Sequence, residues 1–321
     1  MKKKIVNLVN YKRNFVNKLI VSLLMVVSAT VASAQQLEII VPFPPGGVVD
    51  FVARTIAKEF QNESGIQAIV LNRPGADGII AGKEFLDTKG VPNKIFLASG
   101  GATLFTKLTK KPNEHFDPIN DLDMIGPLAN APTTIAVHPE SRFRTYDDFV
   151  AIARKEPVMC GTSNSTASFF VRLLAAREQL QLEAVPFKGT TDLNTNLMGR
   201  HVECGVDAVP GYLEFVKAGK LKLLALSAKD NSGNIVAPVI NLGEFKFENF
   251  FAVALNPSME PAVRKTFTKF YQDLRNNADF RQKMVDRGFY MPVVNLKYTS
   301  VVQQDYQILE KARLQLGVEK N

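Results

Sequence analysis

Short apolar runs rich in β-branched residues alternate with segments of helical periodicity along most of the 321-residue chain. The run LEIIVPF has the composition of a strand, and apolar residues then recur at helical spacing from Val48 to Phe60. In this part of the chain we predict strands at 37–43, 66–72 and 94–99 and a further helix at 79–86. Such alternation predicts a mainly parallel sheet with helices on both faces.

The same alternation restarts after residue 132 and predicts a second α/β unit. Its strands are predicted at 133–139, 157–161, 182–189, 201–207 and 221–228, with helices between them. A further extended segment at 248–257 precedes helices that bring no new strands. Because helices without a sheet must cover an existing face, we expect the chain to return to the first unit. The segments 133–139 and 248–257 would then join two lobes around a cleft.

The first 34 residues are predicted to be a secretory signal peptide rather than part of the fold. Six basic and no acidic residues precede or flank the apolar run LIVSLLMVVSATVAS, and Ala32-Ser33-Ala34 is a small-x-small cleavage pattern. An uncleaved membrane anchor is the alternative, although the run is short for a membrane span. Since the whole chain has a formal net charge of +8, the remainder carries about +2, and no basic block suggests nucleic-acid binding.

Two cysteines, Cys160 and Cys204, are too few for a disulfide-based scaffold. Export would permit a single bridge between them. Their predicted strands could be neighbours, but bridges across adjacent parallel strands tend to be strained. We therefore expect two buried free thiols, with the bridge as the alternative.

Loops rich in glycine and hydroxyl side chains follow the predicted strands, where ligands of open α/β sheets bind. They are Phe43–Gly47, Ser99–Thr103, Gly161–Thr166, Lys188–Thr191 and Asp207–Ala208. Glycine allows close approach to backbone N–H groups, helix N-termini attract anions, and hydroxyls add donors. The same residues could simply cap helices. Asp50 could likewise stabilise its helix N-terminus, or receive an amine or hydroxyl of a ligand.

Catalytic and metal-binding patterns are absent from the sequence. The histidines at 115, 138 and 201 have no metal-ligand spacing, and neither a G-x-S-x-G nor a G-x-x-x-x-G-K-[ST] motif occurs. We therefore expect no enzyme activity, no cofactor and no metal site.

Several motifs, taken in this order, resemble those of the tripartite tricarboxylate transporter receptor (Bug) family of periplasmic solute-binding proteins. They are VPFPPGGVVDFVAR (41–54), NRPGADG (72–78), VPFKGTTDLNTNLMGRHVECGVD (185–207) and VKAGKLKLLALS (216–227). The resemblance covers essentially the whole chain after the leader. It implies a two-lobed periplasmic-binding-protein (Venus-flytrap) fold of class α/β, each lobe a mainly parallel sheet flanked by helices. We predict lobe 1 at 35–135 and 252–321, and lobe 2 at 136–251.

The resemblance also implies that a small carboxylate binds between the lobes through backbone amides, hydroxyls and water. The predicted ligand-binding residues are Phe43, Pro44, Gly46, Gly47, Asp50, Gly101, Ala102, Ser163, Asn164, Ser165, Thr166, Ser168, Thr190, Asp207 and Ala208. The loop at 163–168 departs from the family's S-G-x-G-S-x-x-H-L pattern, with serines at 163 and 165 and Phe169 where histidine is usual. The tryptophan that is usual in the second segment joining the lobes, here 248–257, is also absent. Phe169 could contact a larger or aromatic ligand or belong to the core, which we prefer.

These features predict a monomeric periplasmic protein that delivers a carboxylate to a membrane permease of two integral subunits. An exported sensor subunit that presents its ligand to a signalling receptor is the alternative. The sequence identifies neither the carboxylate nor which of these two roles applies.

Overall fold

The computed structural model describes residues 36–87, 93–111, 116–117, 119–230, 233, 235, 237–242, 247–292, 298–315, 317–318 and 320. The predicted signal peptide therefore lies outside the described residues. Within them, no helix combines the length and the apolar character needed to cross a membrane.

Nine strands of the described chain form one continuous sheet in the order β2-β1-β3-β9-β4-β7-β5-β6, with β8 paired to β4. The strands are β1 Leu37–Val41, β2 Ala68–Asn72, β3 Lys94–Ser99, β4 Asp123–Val137, β5 Val158–Thr162, β6 Leu182–Pro186, β7 Cys204–Ala208, β8 Lys222–Leu226 and β9 Glu248–Leu255. Strands β1 to β3 are parallel, and so are β5 to β7. Each predicted strand overlaps an observed one. Four of the eight strand pairings in the described chain are parallel, and the four pairings made by β4 and β9 are antiparallel, so the sheet is mixed rather than mainly parallel.

Strand β4 belongs to both halves of the sheet. Its residues 123–132 pair with β9, whereas residues 133–137 pair with β7 and β8. We call the part with β1–β3 and β9 lobe 1 and the part with β5–β8 lobe 2. The sequence predicted only the second part of β4, because Gly126 at φ +118°, Pro127 and Pro132 interrupt the β pattern of the first part. The residue boundaries of the lobes stay a prediction.

Ten α-helices cover the described faces of the sheet. They are α1 Val48–Ser64, α2 Ile79–Leu86, α3 Leu104–Thr109, α4 Tyr146–Ala153, α5 Ser165–Glu178, α6 Thr190–Met198, α7 Leu213–Lys217, α8 Pro261–Asn276, α9 Ala278–Asp286 and α10 Tyr298–Gln315. The C-terminal helices pack on lobe 1, as predicted: the Phe60 ring of α1 lies 5.3 and 5.1 Å from those of Phe267 and Phe270.

The lobes are in direct contact at two places. The ring of Phe105 in α3 lies 5.5 Å from that of Phe169 in α5. The Lys217 ammonium of α7 donates a hydrogen bond of 3.1 Å to the carbonyl of Asp286 in α9. The structure therefore holds the lobes closed on each other.

Cys160 and Cys204 form a disulfide, so the expectation of free thiols was wrong. Their strands, β5 and β7, are neighbours, and the two residues are direct partners in the parallel register. With Cα atoms 4.6 Å apart and both side chains on one face, the sulfurs meet. The sequence could not reveal this register.

Candidate ligand-binding site between the lobes

A small cavity, which we call the inner cavity, lies where the two lobes meet, and its volume is about 20 Å³. A space of this size holds one or two water-sized groups. Its walls are Phe43, Pro44, Gly47, Val48, Val49, Ser99, Gly101, Ser163, Asn164, Lys188, Gly189, Thr190, Thr191, Asp207, Ala208, Asn249 and Phe251. Both lobes contribute, so the inner cavity exists only when they are closed.

Three helix N-termini meet at the inner cavity. Helix α1 of lobe 1 begins after the N-cap Gly47, and helices α5 and α6 of lobe 2 begin after the N-caps Asn164 and Gly189. The first N–H groups of a helix have no partner within it, and the aligned peptide dipoles give this end a partial positive charge. All three N-caps line the inner cavity, so its walls favour an anionic group.

Asp207 is the buried carboxyl group of the inner cavity and is only 2% exposed. It accepts hydrogen bonds from the Thr190 hydroxyl and the Ala208 amide, both at 2.7 Å. Among the residues that the structure describes, it forms no ion pair. Burial raises the pKa of this carboxyl, and the hydrogen bonds from Thr190, Ser163 and the Ala208 amide offset only part of the rise.

Asn164 shapes the entrance to helix α5. Its side-chain oxygen accepts from the Ala167 amide at 3.1 Å and its amide donates to the Ser163 hydroxyl at 2.9 Å. This capping arrangement fixes both side chains at the cavity wall. On the floor of the cleft, the Asn249 side chain of β9 donates to the Thr133 hydroxyl of β4 at 2.8 Å.

Asp50 stabilises the turn that carries Gly46 and Gly47 and does not line the inner cavity. It accepts from the Gly46 amide, Arg54 and Asn72 at 2.9, 2.8 and 3.0 Å. Burial alone would raise its pKa, but these hydrogen bonds outweigh burial and hold the pKa below its usual value. Its carboxylate oxygens are therefore occupied by protein donors, which favours the structural role of Asp50 over contact with a ligand.

The structure brings nine of the fifteen predicted site residues together in the wall of the inner cavity. They are Phe43, Pro44, Gly47, Gly101, Ser163, Asn164, Thr190, Asp207 and Ala208. The other six, namely Gly46, Asp50, Ala102, Ser165, Thr166 and Ser168, lie outside that wall. Whether a ligand contacts any of these residues stays a prediction.

Sequence reasoning missed Val48 and Val49 in the first turn of α1 and Asn249 and Phe251 on β9, all of which line the inner cavity. The glycine pair before Val48 signalled a helix N-terminus and could have suggested the two valines. The predicted crossover at 248–257 carried no sign of which side chains face the cleft.

Phe169 belongs to the core, as we preferred. Its side chain is fully buried, and its ring lies 5.5 Å from that of Phe105 and 6.1 Å from that of Phe247. The residue where the family usually has histidine thus joins the apolar contact between the lobes.

The described residues contain no group of three or more His, Cys, Asp or Glu side chains that could hold a metal ion. Apart from the charged side chains of Asp207 and Lys188, the polar wall of the inner cavity consists of hydroxyl, amide and backbone groups. These bind by hydrogen bonds alone.

Comparison with known proteins gives a consistent family match. The model of the tripartite tricarboxylate transporter family receptor matches residues 52–312. Protein BugT of Bordetella pertussis is 27% identical over 245 residues, which cover 74% of this chain and 75% of that protein. The UPF0065 protein in the gbd 5' region of Cupriavidus necator is 26% identical over 265 residues, which cover 79% of this chain and 80% of that protein.

Solved structures share the fold. The periplasmic binding protein BugD superimposes with a TM-score of 0.79 at 20% identity, covering 89% of this chain and 99% of BugD. An R. palustris protein solved with adipate gives a TM-score of 0.79 at 20% identity, covering 89% and 98%. MatC from Rhodopseudomonas palustris, solved with malate, gives a TM-score of 0.75 at 18% identity, covering 86% of this chain and 98% of MatC. These likenesses confirm the two-lobed mixed α/β fold.

Proposed function

The chain belongs to the tripartite tricarboxylate transporter receptor family, and on this premise we propose that it is a periplasmic protein that captures a small organic carboxylate between its lobes. The observation that carries the proposal is the meeting of three helix N-termini, from both lobes, at one small buried cavity. Adipate and malate, present in structures of two relatives of the fold, are ligands of this class.

Lobe closure explains how a site whose lining cation, Lys188, is exposed to solvent can hold an anion. Closing excludes water, which strengthens the attraction between a carboxylate and the oriented N–H groups around it. Hydroxyl and amide side chains at the wall supply additional hydrogen bonds. Closure of this kind is a hinge motion, and β4, which runs through both lobes, and β9 are its natural hinge strands.

The physiological role that follows is delivery to a membrane permease of two integral subunits, with the protein acting as a monomer after removal of its signal peptide. The family to which the chain belongs supports this role.

Asn164→Asp tests the anion site while keeping the helix cap. Aspartate caps a helix N-terminus as well as asparagine does, so helix α5 should persist. The new carboxylate would repel a bound one: at roughly 5 Å a like charge costs about 3 kcal/mol at an effective dielectric constant of about 20. We therefore expect dicarboxylates such as succinate or malate to bind at least tenfold more weakly, as measured by isothermal titration calorimetry.

Asn277→Asp is the matched control, because Asn277 caps α9 in the same way and lies outside the inner cavity. It should leave the affinity unchanged. Carboxylate binding of wild-type strength by Asn164→Asp would contradict an anion site at the inner cavity.

A further inference from the structure

A second and larger space, which we call the outer chamber, adjoins the inner cavity. Its volume is about 530 Å³, and its walls are Pro42, Phe43, Pro44, Pro74, Gly75, Ala76, Asp77, Ser163, Phe187, Lys188 and Gly189. Five of these residues also line the inner cavity, namely Phe43, Pro44, Ser163, Lys188 and Gly189. A ligand can therefore extend from one space into the other.

Five of the eleven wall residues of the outer chamber carry apolar rings, and they come from both lobes. Lobe 1 contributes Phe43 and three prolines, and lobe 2 contributes Phe187. Phe43 and Phe187 are each half-buried, so part of each aromatic surface stays open to the chamber. Such surfaces suit the flat or apolar part of a ligand.

The two spaces differ in size and chemistry. The inner cavity holds one or two water-sized groups between helix N-termini, which is enough for a head group and too little for a carbon skeleton. The remainder of any ligand held there must lie outside the inner cavity. A space of about 330 Å³ shares Gly47, Val48, Thr190 and Thr191 with the inner cavity, but the outer chamber, at about 530 Å³, is the larger of the two adjoining spaces. Lys188 lies at the junction, is exposed, and forms no ion pair with a described residue, so the junction also favours the carboxylate end.

From these observations, and resting on the proposed function, we propose that the preferred ligands are carboxylates with a bulky apolar or aromatic body, the head group in the inner cavity and the body between Phe43 and Phe187. The alternative is a ligand of head-group size whose body makes no contact with the outer chamber.

The test compares ligands that share one head group. Calorimetry with the purified protein would use acetate, cyclohexylacetate and phenylacetate, with succinate as a second short carboxylate. We expect phenylacetate to bind at least about tenfold more tightly than acetate, the gain for burying roughly 60 Å² of apolar ligand surface. Cyclohexylacetate should also bind more tightly than acetate, because its ring is apolar.

Phe187→Leu should reduce the ratio of the phenylacetate affinity to the acetate affinity, because it removes one aromatic wall. Phe215→Leu is the matched control. Phe215 is also half-buried and packs on the same apolar cluster as Phe187, yet it lies outside both spaces. If Phe187→Leu does not fold, Pro74→Ala, at an exposed position in the lobe 1 wall, should lower the same ratio.

The outcomes separate this inference from the proposed function. Equal affinities for acetate and phenylacetate, or a ratio unchanged in the wall variants, would overturn the inference and leave carboxylate capture intact. Failure of acetate, succinate and phenylacetate alike to bind a folded protein would overturn both.

Discussion

Asp207 makes the stability of the folded protein depend on pH. Because burial raises the pKa of this carboxyl, the native state binds more protons than the unfolded chain between the unfolded pKa of about 3.9 and the native value. The stabilisation that protonated Asp207 contributes is present at low pH. It is lost as the pH rises from the unfolded pKa through the native pKa of this carboxyl. Asp207→Asn, which mimics the protonated acid, should therefore raise the melting temperature at pH 7 and lose this advantage towards pH 4.

The measurement is a series of thermal melts from pH 4 to pH 8, in which 1 kcal/mol corresponds to about 2–4 °C. Asp279→Asn, at an exposed position of α9, is the control and should follow the wild-type profile. If the melting temperature of Asp207→Asn depends on pH in the same way as that of the wild type, burial does not disfavour the charged form of Asp207.

Asp50 and Asp207 show how far a site residue can be predicted from sequence. Both follow a glycine-rich or strand-end segment, and both were predicted to bind ligand. The structure engages Asp50 with Arg54, one helical turn away, and with the Gly46 amide. Asp207 lies at the end of β7, facing the inner cavity. Sequence locates such carboxylates near the site, but their partners depend on packing.

The Cys160–Cys204 disulfide cross-links strands β5 and β7. The two cysteines are 44 residues apart in the sequence. In the chain-entropy description, closing a loop of this length stabilises the fold by about 4 kcal/mol, and typical measured values are about 2–4 kcal/mol. We expect the Cys160→Ser/Cys204→Ser variant to lose a few kcal/mol of unfolding free energy, measured by guanidinium chloride denaturation.

Wild-type protein denatured and refolded in the presence of a reductant provides the control, since it should match the double variant. Both cysteines are buried, so reductant should act only after unfolding. Equal unfolding free energies for the oxidised wild type and the double variant would show that the bridge does not stabilise the protein.

Helices and strands were predictable where the hydrophobic period was regular and less so elsewhere. Thr145 and Asp148 form the capping box that starts α4 where the sequence placed a helix. By contrast, the short helix α3, Leu104–Thr109, was missed, because six residues are too few for a helical period to emerge. Phe105 of this helix packs against Phe169 of lobe 2. Such a contact arises from the tertiary structure and leaves no local pattern in the sequence.

The absence of a side chain at Gly101 favours close approach of the two lobes of the whole molecule. A Cβ atom at this position would lie 3.1 Å from the Cβ, Cγ and Oδ1 atoms of Asn164 in the other lobe. Gly101→Ala should therefore hold the lobes apart, weaken carboxylate binding several-fold and leave the melting temperature of the unliganded protein nearly unchanged. Calorimetry measures the affinity, and small-angle scattering measures the compactness with ligand.

Gly100→Ala is the matched control, because its Cβ would meet Thr166 and Phe105 only at ordinary contact distances of 3.4–3.5 Å. It should bind and compact like the wild type. Unchanged affinity in Gly101→Ala would mean that closure to this distance is not needed for binding.

The two-lobed architecture was predictable because the strand–helix pattern occurs twice and the C-terminal helices lack strands of their own. The close contact between the lobes was not predictable, because the Lys217–Asp286 hydrogen bond joins distant segments through a side chain and a backbone carbonyl. No local pattern marks such a pair.

The inner cavity is walled by both lobes, and this has a kinetic consequence. A head group held between the lobes leaves most readily when they separate, so its residence time depends on the rate of opening. Ligands with similar head groups would then differ mainly in how long they delay that opening. A membrane partner that pulls the lobes apart would release the cargo without ever touching it.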